Sequence, residues 1–440
     1  MTRPPSPSTE PSSILHLYAE LLLHIRTVTL FASLRTAHTS ETKAVLSADG
    51  ETLTLTHEGH SASIRLPTQI AGGGSAALML PQAPSKELTL RLQLQEKSPG
   101  LLRSRQGAEN VVPWDARQLE AAESVKCAKC GAQLAVANPK RNDDESDPSS
   151  EGANGGGAEN TRMGVKSWLD LPNENWAEMM DFWHCHKPDE HSHGNNNHAG
   201  RGKGYAASNR LTARKGVGFV DLAHLLLAEE DCTGVKLATH SSSDQRSHLL
   251  CSSCNSHVGL FDHRSNGFRL WKWSLSVTCK DAPSPKSYSP LKWVSAQLLS
   301  LIENQGVRKF TVVPDDELQA SKADEDGESL EPIEIWVFTP DLSFSSSVPH
   351  AGGSNDHGTT DPARAMKVMW KPAAHLKPDH EQGQALDRLS LSVEEARLPV
   401  HVFLALKERL RSSGAWIPAS AKKMGDWNVG LLERFAEEEA

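Results

Sequence analysis

At 440 residues the chain is too long for one ordinary hydrophobic core and calls for two or three domains. Its 46 Lys and Arg stand against 55 Asp and Glu, a formal net charge of −9, and no basic run is dense enough to track phosphates, which argues against direct nucleic-acid binding and for protein partners. The apolar start from Ile14 to Leu34 is broken by His16, Glu20, His24 and Arg26, so it fails both as a membrane span and as a signal-peptide core, and the chain reads as cytoplasmic or nuclear.

Residues 1–12 carry Pro4, Pro5, Pro7 and Pro11 among serines and threonines and are expected to be a disordered tail. From residue 13 to 113 apolar and polar residues alternate, as in Leu53-Leu55, Ile64-Leu66 and Leu88-Leu90-Leu92-Leu94. That period of two predicts a β-sandwich-like domain, although Leu21 to Leu34 has helical propensity as well. Residues 114–280 form a Trp-rich middle region interrupted by two segments poor in bulky apolar groups, 138–162 and 189–204, both expected to be disordered inserts. Between them, Trp168, Trp176, Met179 and Trp183 follow helix-like spacing, with Asn173 or Asn175 as a cap. Phe268 to Leu275 alternates as a strand. Residues 281–440 then combine helices near Trp293–Ile302 and Val400–Arg411 with strands at Lys309–Val313, Ile333–Phe338 and Ala365–Trp370, which predicts a C-terminal α+β domain and an α+β chain as a whole.

Four of the seven cysteines fall in two Cys-x-x-Cys pairs, Cys127/Cys130 and Cys251/Cys254. A glycine follows each pair, Gly131 and Gly259, where a tight metal-binding turn tolerates positive φ. Four thiolates close a tetrahedral zinc site, so the pairs predict one structural Zn2+ that staples two distant stretches of the middle region. His257 and His263 lie near enough to serve as ligands, but sulfur suffices without them. The alternative is two reduced pairs, or two separate sites completed by histidines.

Cys185 sits between His184 and His186, and a neighbouring imidazolium favours the reactive thiolate, so Cys185 is the best nucleophile candidate in the chain. Its competing reading, shared with His186 and Cys232, is a metal ligand or a buried structural group. No phosphate loop, His-Glu-x-x-His or Gly-x-Ser-x-Gly is present.

Cys127-x-x-Cys130-Gly131, Leu171-Pro172-x-Glu174-Asn175-Trp176, Trp183-His184-Cys185-His186, Asp231-Cys232 and Cys251-x-x-Cys254 with Gly259 occur in an order that resembles the HECT-like ubiquitin-conjugating-enzyme-binding family, counted among the ubiquitin-protein ligases. The resemblance is specific through residues 127–275 and looser on either side. It implies a ligase that engages a ubiquitin-conjugating enzyme, accepts ubiquitin and passes it to lysines of protein substrates. HECT ligases keep their acceptor cysteine near the C-terminus, whereas nothing after Cys279 here is a cysteine, so a thioester would have to form in the middle region, on Cys185. The family also implies an alternative without ligase chemistry: a protein that binds, stabilises or inhibits the endonuclease of pre-mRNA 3′-end cleavage.

Overall fold

The computed structural model describes residues 15–22, 25–70, 76–94, 110–138, 164–171, 211–238, 247–280, 284–315, 330–348, 361–373 and 393–439. The expected tail 1–12, both inserts apart from Asn138, and the segment from Pro172 through Cys185 lie outside them. Of the described residues 49% are in strands and 17% in helices, which overturns the expected α+β class and the expected C-terminal α+β domain. The helices Pro290–Gln305 and Val400–Ser412 do form where sequence spacing places them. The class fails because strand alternation runs further than its local signal: Ile333–Ser346 covers 14 residues and Ala363–Pro372 covers 10.

Two compact units emerge, Met1–Val111 with Leu298–Glu438, and Val112–Gln297 with residues 439–440. The first is built on a nine-stranded sheet whose main path runs Lys423–Met424, Trp427–Glu433, Ala363–Pro372, Ile333–Ser346, Leu15–Leu22, Thr27–Leu34 and Glu87–Gln93. Lys309–Asp315 joins the long strand antiparallel, and Val393–Pro399 joins Lys309–Asp315 in parallel. Strands from both ends of the chain thus share one ladder, with Tyr18 opposite Ser346 and Leu21 opposite Ser343.

A four-stranded sheet, His60–Arg65, Thr52–His57, Lys43–Leu46 and Ala76–Leu78, packs on the N-terminal strands. Leu17, Leu30, Leu53, Leu55 and Ile64 from the two sheets meet in one core and are almost completely buried, as alternate residues of a sandwich must be. The Leu21–Leu34 stretch contains the strand Thr27–Leu34, so β-pairing prevails there over helical propensity.

The second unit holds a seven-stranded sheet, Ser167–Asp170, Val217–Val220, His224–Leu227, Gly267–Trp271, His257–Asp262, Ser247–Cys251 and Val235–Leu237. A three-stranded sheet, Leu275–Cys279, Ala122–Cys127 and Gln133–Val136, accompanies it. Trp168 lies in a strand and is buried, its ring packed over Gly218, where any side chain would collide with it; the helix expected beyond a cap at Asn173 or Asn175 falls outside the described residues. The expected strand from Phe268 to Leu275 breaks at a 3-10 turn, Lys272–Ser274, which moves the chain from one sheet to the other.

Candidate metal centre

Cys127 ends the strand Ala122–Cys127 and Cys251 ends the strand Ser247–Cys251, so each pair occupies a turn leaving a different sheet. The two turns have the same hydrogen-bond pattern. Cys127 N–H donates to the Ala132 carbonyl at 2.8 Å and Gly131 N–H to the Cys127 carbonyl at 2.8 Å; Cys251 N–H donates to Ser256 at 2.9 Å and Asn255 N–H to Cys251 at 2.9 Å. The fifth residue of each turn is left-handed, Gly131 at φ 73° and Asn255 at φ 58°. Asparagine is among the few side chains that visit this region readily, so Asn255 takes the place expected of Gly259. Gly259 instead lies in a strand, where a side chain would strike the Arg269 carbonyl.

Gly234 ties the turns together. Its N–H donates to Leu134 at 3.2 Å, its carbonyl accepts from Ser252 at 2.9 Å, and a Cβ there would fall 1.8 Å from the Gln133 carbonyl oxygen.

The result is a cluster of four sulfurs, all within 4.8 Å of one another, with Cys127 3.8 Å from Cys254 and Cys130 3.7 Å from Cys251. A tetrahedron of sulfurs about 2.3 Å from a central ion has an edge of about 3.8 Å, so these separations suit one ion held by four thiolates. They are far too long for disulfides. His257 and His263 are not in the cluster.

Hydrogen bonding divides the acidities of the thiols. The Ser256 hydroxyl, 3.0 Å from the Cys254 sulfur, is the main cause of a Cys254 thiol drawn down to about 6. At Cys130 the Ala132 backbone acts to lower the value, but bonds to the other thiols prevail and hold it up at about 11. A bound cation would favour the thiolate at all four positions. Ser256 also approaches the Cys127 sulfur, at 3.4 Å, and is an orienting group that Cys spacing alone does not reveal.

Cys185, His184 and His186 lie outside the described residues. Cys232 is buried, and burial, followed by the charges of Asp231, Glu229 and Glu230, pushes its thiol up. That chemistry suits a core residue and opposes nucleophilic attack.

Sequence reading gives no warning of Lys272. It is 1% exposed, its Nζ donates to the Trp114 carbonyl at 3.0 Å and lies 5.3 Å from the centre of the Trp293 ring. Burial draws its amine down to about 7 against the opposing pull of Asp221, Asp170 and Asp115. The carbonyl it holds belongs to a tryptophan at φ 65°, an outlying conformation for a bulky side chain.

The chain belongs to the HECT-like ubiquitin-conjugating enzyme (E2)-binding family, whose model matches residues 20–429. It is similar to an uncharacterized protein of Schizosaccharomyces pombe, 26% identical over 62% of this chain and 69% of that one. It is also similar to an uncharacterized Saccharomyces cerevisiae protein, 22% identical over 59% of this chain and 61% of that one. No solved structure matches. Among the described residues no helix is long and apolar enough to cross a membrane.

Proposed function

We propose that the protein is a ubiquitin-protein ligase that binds a charged ubiquitin-conjugating enzyme and passes ubiquitin to protein substrates. The observation that carries this reading is the family match across residues 20–429, joined to the four-cysteine cluster. Four thiolates at tetrahedral spacing favour zinc, and four protein ligands would leave such an ion no open position for a substrate, which supports a structural role. Cys127, Cys130, Cys251 and Cys254 would hold the ion.

Cys185 is the proposed acceptor. Attack of its thiolate on the enzyme-bound thioester would transfer the ubiquitin carbonyl and release the conjugating enzyme's thiol; a substrate amine would then displace Cys185 and form the amide. Charging of the purified full chain in a reconstituted reaction tests this. A ubiquitin adduct cleaved by thiol and absent in Cys185→Ala is expected. A stoichiometric complex with the 3′-end cleavage endonuclease, together with no adduct and indifference to Cys185→Ala, would support the non-catalytic alternative instead.

A further inference from the structure

We infer that the conjugating enzyme docks on one face of the nine-stranded sheet, around Trp336, Phe338, Trp427, Val393 and Met424; the inference rests on the binding function proposed above. Residues paired across a sheet share a face. Val393 pairs with Lys309, Lys309 with Trp336, Trp336 with Met369 and Met369 with Val429, while Met424 pairs with Trp427 in the next row. Trp336 and Trp427 lie 6.2 Å apart, and Phe338 lies 6.4 Å from Trp336. Phe338, Val393 and Met424 are 47%, 54% and 56% exposed, so large apolar residues that would be unremarkable singly are gathered on one face.

The rings are held from the side by buried neighbours on the same face. Trp336 and Trp427 pack against the buried cluster of Tyr18, Phe344, Met369 and Val429. Further along the same face, Trp416 stacks on Phe344 and Ile417 is fully buried, so the chain covers that part of the sheet itself. The opposite face is covered by the helix Val400–Ser412, with Leu410 against Gly430. An anchored aromatic surface loses little freedom on binding and has the character of an interface hot spot.

Charge narrows the occupant. Lys309 Nζ lies 4.8 Å from the Trp336 ring centre and Lys371 Nζ 4.7 Å from that of Trp427, which places two cations on the apolar patch of a chain whose net charge is −9. Glu334, 3.2 Å from Lys371, offsets one of them. The surface therefore fits a folded partner presenting an apolar projection flanked by carboxylates. Single-stranded nucleic acid fits less well, because stacking bases need the ring faces that the lysines cover. Among proteins, the family's own partner is the ubiquitin-conjugating enzyme.

Binding of a panel of ubiquitin-conjugating enzymes to the immobilised full chain tests the inference. Phe338→Ser and Met424→Ser, both at exposed positions and checked for unchanged melting, are each expected to weaken binding about tenfold or more. Lys371→Glu should slow association most at low salt. Met79→Ser, exposed but outside this face, should have no effect. If the unaltered chain binds no conjugating enzyme, the functional reading fails and the docking face with it. If it binds and the two serine variants bind within twofold of it, only the docking face is overturned. Loss of self-association in place of enzyme binding would reassign the face to contact between copies of this chain and overturn the inference.

Discussion

A single buried amine makes the middle unit sensitive to pH. Lys272 has an amine near 7 in the folded chain, whereas an unfolded lysine titrates near 10.4, about the ordinary value. Between these limits the unfolded chain binds more protons, so stability rises with pH by up to about 1.4 kcal/mol per unit and levels off below about 7. In Lys272→Met that contribution disappears. Urea midpoints of both proteins at pH 7, 8 and 9 should diverge, the unaltered chain gaining on the variant; parallel profiles would mean that Lys272 stays charged when folded. Nothing in the sequence marks this residue. Trp271-Lys272-Trp273 alternates like a strand with its lysine in solvent, and only the turn at Lys272–Ser274 brings the side chain under Trp114. Asn255 is a milder case: its left-handed turn is legible from the Cys-x-x-Cys repeat, but glycine is the residue such turns usually advertise.

The cysteine turns are the elements most fully legible in sequence, because Cys-x-x-Cys spacing is a local property, whereas the meeting of the two pairs at one site is established by the structure. The glycine that joins them is not legible, since the need for Gly234 shows only once Gln133 is known to lie against it. If zinc fills the site, its binding contributes about 10–16 kcal/mol, comparable with the whole stability of a domain at about 5–15 kcal/mol. Cys254→Ser should therefore abolish the cooperative melting of residues 112–297 and release the metal. Ser256→Ala removes only a hydrogen bond to the sulfurs, leaves folding intact and weakens metal affinity about 10-fold to 100-fold. Elemental analysis and chelator competition measure both, and a Cys254→Ser protein that keeps its metal and its melting would refute a structural centre.

At the scale of the whole chain, period-two alternation revealed the strands but not their partners. Leu15–Leu22 reads as part of an N-terminal sandwich, yet one of its neighbours is Ile333–Ser346, more than three hundred residues away, and no local pattern encodes such a pairing. The contact is substantial. Tyr18 is fully buried with its ring 6.0 Å from Phe344, and Glu20, also buried, accepts from Tyr18 at 3.1 Å and from Lys367 at 2.7 Å. A fragment of residues 1–111 would expose this edge, strip the apolar cover from Tyr18 and leave Glu20 without its cation, a loss of about 3–5 kcal/mol from the broken buried pair alone. That fragment should aggregate when expressed by itself and become soluble when co-expressed with residues 284–440, which restore the strands from Lys309 onward together with the intact helix Pro290–Gln305. Lys367→Met in the co-expressed partner should weaken the rescue, because it restores the ladder but not the charge. Cooperative unfolding of residues 1–111 alone, as a soluble monomer, would show that the N-terminal sandwich closes its own core and that the shared sheet is an addition to it.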